Sequence, residues 1–111
     1  MPFWANFEGD EAVGFTALKE NSPYTAEIYV MGVLKRWHRH GLGKKLFLAL
    51  FAYAAEHGYS FLQVKTVEAG CYKKYDATGL FYRSLGFREF ECFPTLWDEW
   101  NPCRIFVMAV G

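Results

Sequence analysis

Paired cysteines are missing from this chain. Cys71, Cys92 and Cys103 are odd in number and none belongs to a C-x-x-C. Neither a disulfide framework nor a thiolate zinc centre therefore organises the fold, and no metal is expected. Net charge is missing as well, since Lys plus Arg and Asp plus Glu both number 12. A general nucleic-acid binder carries a basic excess, so nucleic acid is not an expected partner. No apolar run approaches the ~20 residues that cross a bilayer. Met1 to Phe7 has neither the basic start nor the apolar stretch of a signal peptide. No membrane association is expected, and the cytoplasm is the expected location. Linkers, internal repeats and low-complexity segments are absent too.

What is present is apolar and aromatic. Apolar residues make up 52% of 111 residues and aromatic ones 20%. Large rings remove much surface from water, so a short chain of this composition can fill one core. A single domain over residues 1–111 is expected.

Turn chemistry divides the chain regularly. Pro2 to Phe7 reads as a short strand, Glu8-Gly9-Asp10-Glu11 as a turn and Ala12 to Leu18 as a second strand. Glu20-Asn21-Ser22-Pro23 is a second turn. Glu27 to Val33, rich in β-branched and aromatic residues, is a third strand, and the three form a meander. The period then changes: Leu42, Leu46, Ala49, Leu50 and Tyr53 recur at helical spacing, and Gly58 stops that helix after His57. Phe61 to Val67 is a fourth strand. A short helix over Ala77 to Leu85 follows, with Asp76 as its N-cap and Gly86 as its stop. Phe87 to Phe93 and Ile105 to Val110 are the last strands. A strand, a crossover helix and a strand imply one parallel pair inside an otherwise antiparallel sheet, an α+β fold.

The segment with chemical content runs from Val33 to Lys45 (V-L-K-R-W-H-R-H-G-L-G-K-K), where a strand becomes a helix. Gly41 and Gly43 let the backbone turn tightly and leave its amides bare. The first N–H groups of a helix have no intrahelical partner and point toward an anion. Lys35, Arg36, Arg39, Lys44 and Lys45 stand around them with no acid between. A pyrophosphate with a nearby sugar phosphate suits this arrangement. Taken alone, a G-x-G of this kind is more often just a helix start with solvated lysines.

A second match changes that balance. His38 to Gly43 resembles motif A of the GNAT superfamily, a strand followed by Gln/Arg-x-x-Gly-x-Gly/Ala and a helix. Gly41 and Gly43 occupy the small positions, and His38 stands where the family prefers Gln or Arg. Leu80-Phe81-Tyr82-Arg83-Ser84-Leu85-Gly86-Phe87 resembles motif B, in which a tyrosine precedes an apolar-Gly-Phe ending. Both motifs occur in the family's order.

The resemblance implies an N-acetyltransferase that uses acetyl-coenzyme A as acyl donor and a small-molecule or peptide amine as acceptor. It places the pyrophosphate on the amides of Arg39, His40, Gly41, Leu42, Gly43 and Lys44. It places the acetyl carbonyl on an amide of Met31 or Val33. Gly32 is either the bulge that opens this strand or a packing glycine. Tyr82 matches the tyrosine that protonates the departing thiolate, against a plain role in the core beside Phe81. Glu27 lies in register with the general base of the histone-acetylating branch, without implying a histone substrate. Glu68, a water relay or no dedicated base are the alternatives. The family's Asn before the motif B helix is absent. His40 and His57 are expected at the surface, and Cys103 in the core.

Against the family's pattern, the first strand and two helices before the meander have no counterpart ahead of Phe3. The cofactor half is thus recognised and the acceptor wall is not. A non-catalytic coenzyme A-binding or dimerising remnant is the rival expectation. Phe3, Trp4 and Phe7 on an exposed edge, with Trp97 and Trp100 in the loop before the last strand, point to a homodimer.

Overall fold

The computed structural model describes residues 1–38, 40–67, 73–98 and 100–111. Its elements are β1 (Phe3–Glu8), β2 (Glu11–Glu20), β3 (Thr25–Val33), a 3-10 turn (Lys35–Trp37), α1 (Leu42–Glu56), β4 (Phe61–Val67), α2 (Lys73–Ser84), β5 (Arg88–Phe93) and β6 (Cys103–Ala109). The strands form one mixed sheet in the order β1-β2-β3-β4-β6-β5, with one parallel pair. The expected α+β architecture is the one observed. Residue contacts divide the chain into two compact units, residues 1–62 with 109–111 and residues 63–108.

In the first unit, β1, β2 and β3 are the expected antiparallel meander. α1 lies on one face of it. Leu46, Phe47, Leu50 and Ala54 are the buried residues of α1, at the spacing of one helix face. Fully burying a leucine such as Leu50 contributes about 1.5–3 kcal/mol. Trp4 turns onto that helix, edge-on to Tyr53 with ring centroids 5.4 Å apart. It is therefore not part of the exposed edge surface the sequence assigned it, although Phe3 and Phe7 are exposed.

The β2–β3 ladder contains a bulge. Ala17 pairs with Val30 but Leu18 pairs with Ile28, so Tyr29 is the extra residue. Next to it the fully buried Thr16 donates its hydroxyl to the Val30 carbonyl at 2.9 Å. The bulge is thus at Tyr29 and not at Gly32. Gly32 is instead a packing glycine: a Cβ there would sit 2.8 Å from Cε1 of Phe15, so the ring needs the missing side chain.

In the second unit, Tyr82, Phe87, Ile105 and Phe106 are buried. α2 begins at Lys73, so Asp76 lies inside the helix and is not its N-cap. The stretch Lys73-Lys74-Tyr75 carries no apolar period, which is why the sequence reading started the helix too late. Cys103 is buried, as expected.

Candidate active site

The segment from β3 to α1 is built to leave amides exposed. β3 ends at Val33, and the Leu34 amide donates to Val13 O at 2.9 Å, fixing the point where the chain leaves the sheet. The 3-10 turn Lys35–Trp37 follows, with no buried residue. His38 folds back, its Nε2 2.9 Å from the Val33 carbonyl. A carbonyl only accepts, so Nε2 carries the proton. His38 thus braces the loop onto the strand end at the position where the family pattern has Gln or Arg.

Gly41 then opens the helix. It is the N-cap of α1, in the left-handed conformation at φ 76, and no side chain caps it. A Cβ at this position would meet nothing within 4 Å, so the space beside the backbone is open. The first intrahelical bond runs from the Lys45 amide to Gly41 O at 3.1 Å. The preceding amides of Leu42, Gly43 and Lys44 have no helical partner by construction. No acid stands in the first turn, while Lys44 and Lys45 do, at the positive end of the helix dipole. Each of these choices is unfavourable for an isolated helix and favourable once an anion is seated there.

Met31 and Val33 lie at the end of β3, leading into this loop, and His40, Gly41, Leu42, Gly43 and Lys44 form it or open α1. Arg39 lies outside the described residues. His40 is exposed, as expected, its ring 5.2 Å from that of Trp37. The basic surroundings are less uniform than the sequence implied. Glu11, from the start of β2, forms an ion pair with Arg36, and this hydrogen bond raises the guanidinium further above its ordinary range. Arg36 stays charged, its charge balanced by Glu11, and the pair links hairpin and loop.

Glu27 is placed apart from the loop. It sits near the start of β3, on the order of 13 Å of extended chain from Met31. Its carboxylate is buried and accepts a bond from Asn21 Nδ2 at 2.9 Å. Glu68, the alternative base, lies outside the described residues.

Tyr82 is explained by the way α2 stops. The Gly86 amide bonds to Arg83 O at 3.0 Å and the Phe87 amide to Tyr82 O at 3.2 Å, with Gly86 at φ 107. This is the double bond of a Schellman helix stop. The apolar contact that accompanies such a stop is made by the rings of Tyr82 and Phe87, edge to face at 5.7 Å. Motif B therefore has a plain physical content: its tyrosine and phenylalanine are the two clasped ends of a helix stop. Tyr82 also contacts Phe81 and Phe106. Burial pushes its phenol up to about 12, so it holds its proton at any physiological pH.

Two features escaped the sequence reading. One is the Thr16 and Tyr29 bulge, a property of strand pairing. The other is Trp37, whose indole nitrogen is the one buried side-chain polar atom without a partner among the described residues. Its place inside the motif A segment was the available signal. Among the described residues no cluster of His, Cys, Asp and Glu could hold a metal, and no helix is long and apolar enough to cross a membrane.

Comparison with known proteins gives a consistent result. The family model described as the acetyltransferase (GNAT) family matches residues 1–87. The uncharacterised N-acetyltransferase YsnE of Bacillus subtilis is 30% identical over 101 residues, covering 91% of this chain and 65% of that protein. The chain thus spans slightly less than two thirds of that relative's length. A GNAT-family structure from Desulfovibrio desulfuricans matches with a TM-score of 0.88 at 21% identity, over 98% of this chain and 68% of that one. A GNAT family acetyltransferase from Elizabethkingia anophelis, solved with acetyl-CoA bound, matches with a TM-score of 0.82 at 17% identity, over 96% and 74%.

Proposed function

The chain belongs to the GNAT acetyltransferase family, and from that membership we propose that it transfers an acetyl group from acetyl-coenzyme A to a primary amine. The observation that carries this reading is the start of α1: uncapped, opened by a left-handed glycine with free space beside it, and flanked by lysines. An anionic ligand offsets every unfavourable feature of that terminus at once. The amides of Arg39, His40, Gly41, Leu42, Gly43 and Lys44 take the pyrophosphate in this proposal. An amide of Met31 or Val33 takes the acetyl carbonyl.

In the reaction the amine nitrogen forms a bond to the acetyl carbon as the carbon–sulfur bond breaks. The amine gives up a proton and the sulfur gains one. Glu27, buried and oriented by Asn21, is the proposed acceptor of the amine proton through intervening water. Tyr82 is the proposed donor to sulfur. With its phenol near 12 and an ordinary thiol near ~8.5, complete transfer is uphill. Tyr82 therefore stabilises the thiolate by a hydrogen bond, and solvent completes the protonation. A cytoplasmic location and a homodimer joined through the β1 edge belong to the same proposal. Phe3 and Phe7 are 61% and 64% exposed there, and light scattering far above 12.9 kDa is the expected result.

Mass spectrometry with acetyl-coenzyme A and a panel of amines tests the reaction. Acetylated amine is expected, with Tyr82→Phe slower by about 100-fold through loss of one donor to the developing thiolate, at unchanged cofactor affinity. Glu27→Gln is expected to lose the acidic limb of the pH–rate profile. Tight cofactor binding without transfer to any amine would support the non-catalytic reading instead.

A further inference from the structure

Buried donors without acceptors are rare in folded proteins, because each forfeits its bond to water and receives nothing back. Among the described residues the chain has one such side-chain atom, Nε1 of Trp37. Its position is informative. Trp37 closes the 3-10 turn between the end of β3 and the glycine that opens α1. The turn itself contains no buried residue. It is tied down at Leu34 by Val13, at Arg36 by Glu11 and at His38 by Val33, but no bond holds the indole. The exposed imidazole of His40 lies tilted across the indole ring at 5.2 Å. A desolvated donor therefore lies against His40, the residue before the glycine whose missing Cβ would meet nothing within 4 Å and which opens the uncapped start of α1.

We infer that Trp37 is a further cofactor-binding residue, and that its indole N–H donates to a pyrophosphate oxygen of coenzyme A. The inference rests on the proposed seat of the pyrophosphate on this loop. Without an acceptor the donor is out of water and unpaired, which costs free energy. An anionic oxygen arriving at the loop supplies the missing acceptor, and a bond to a charged partner is worth more than one between neutral groups. His40 swings off the indole to admit it. The orphan donor is then a store of binding free energy that is released only in the loaded state.

The test uses Trp37→Phe, which keeps a ring against His40 and removes only the donor. Calorimetric titration with coenzyme A is expected to show binding about 10-fold weaker than in the wild type. Thermal unfolding of the ligand-free variant is expected at or above the wild-type temperature, because an unpaired buried donor has been removed. A tryptophan needed merely for packing would give the opposite pair, unchanged affinity and a lower melting temperature. In a nitrogen-15 correlation spectrum, the indole signal missing from Trp37→Phe is expected to move downfield when coenzyme A is added to the wild type. Equal affinities, or an indole signal that stays in place at saturation, overturn the inference while leaving the cofactor reading intact. A wild type that takes up no coenzyme A overturns both. Inorganic pyrophosphate separates the contact further. A penalty seen with coenzyme A but not with pyrophosphate would place the contact elsewhere on the cofactor and refute the assignment to the pyrophosphate.

Discussion

The two ends of α1 are each marked by a left-handed glycine, Gly41 at φ 76 and Gly58 at φ 78, and neither would meet a neighbour within 4 Å if it carried a Cβ. The same backbone device serves opposite ends. At Gly58 the chain is closed: the Gly58 amide bonds to Ala55 O at 3.2 Å and the Tyr59 amide to Ala54 O at 3.0 Å. His57 completes the closure, its Nδ1 2.9 Å from Tyr53 O and its ring stacked on Tyr53 at 3.8 Å. At Gly41 nothing equivalent occurs, for the terminus has no side-chain cap and no acid in its first turn. A helix with a closed end and a bare one is specialised at the bare end. α2 repeats the closed pattern at Gly86, so both helices end in the same kind of stop.

The contrast is most directly broken at Gly41. Gly41→Asp puts a negative charge into the open space while keeping a residue type that tolerates a left-handed backbone. Coenzyme A binding is expected to fall by more than about 100-fold in calorimetry, a loss of roughly 3 kcal/mol. Unchanged affinity would remove the cradle from this terminus. Replacing Lys44 and Lys45 together by alanine should weaken binding by about 10-fold, at a few tenths to 1 kcal/mol per charge. It should also flatten the dependence of affinity on salt. An equally steep salt dependence would mean that the lysines point away from the ligand.

Changes at the closed end should act on stability instead. Gly58→Ala forces a side chain into the left-handed region and should cost about 1 kcal/mol, read as a lower denaturation midpoint with coenzyme A affinity unchanged. A drop in affinity there would erase the division of labour between the ends. The smallest effect concerns alkaline pH. Tyr82 is raised to about 12 by burial and Tyr59 to about 12 mainly by its hydrogen bond to Glu20. For a phenol raised on folding, the unfolded chain ionises first, so stability falls as pH climbs from ~10 toward 12. Tyr82→Phe should reduce that fall. The Tyr59–Glu20 bond is exposed, so solvent screening should leave Tyr59→Phe with less influence.

Much of this contrast is legible in the sequence. Gly58 after a 3.6-residue period is a stop signal, and the Gly-x-Gly with unopposed lysines is an anion signal, because both depend on neighbours in sequence. β4 runs from Phe61 to Val67 as read, since a β-branched run between turns is local information too. What failed depended on distance along the chain. The Glu11 and Arg36 pair joins residues in different elements, and the bulge at Tyr29 exists only when β3 meets β2. Asp76 misled for the reverse reason: its type suits a cap, and helix propensity in the polar turn ahead of it prevailed.

The extra residue at Tyr29 gives β3 two phases. Ala26 and Ile28 sit opposite Glu20 and Leu18, whereas Met31 and Val33 sit opposite Thr16 and Gly14. Even numbers thus occupy one side of the ribbon before the bulge, and odd numbers occupy it afterwards. The strand behaves like a sentence with one inserted letter, legible only if the insertion is respected. Deleting Tyr29 would make Ile28 and Val30 consecutive opposite Leu18 and Ala17, a regular ladder that keeps the pairings on both sides and loses the local bend and added twist of the bulge. Phe15 would keep Gly32 beneath its ring and Val33 would stay opposite Gly14, but the strand would leave the sheet at a different angle. The bearing of the anion loop is therefore set several residues upstream of the loop itself.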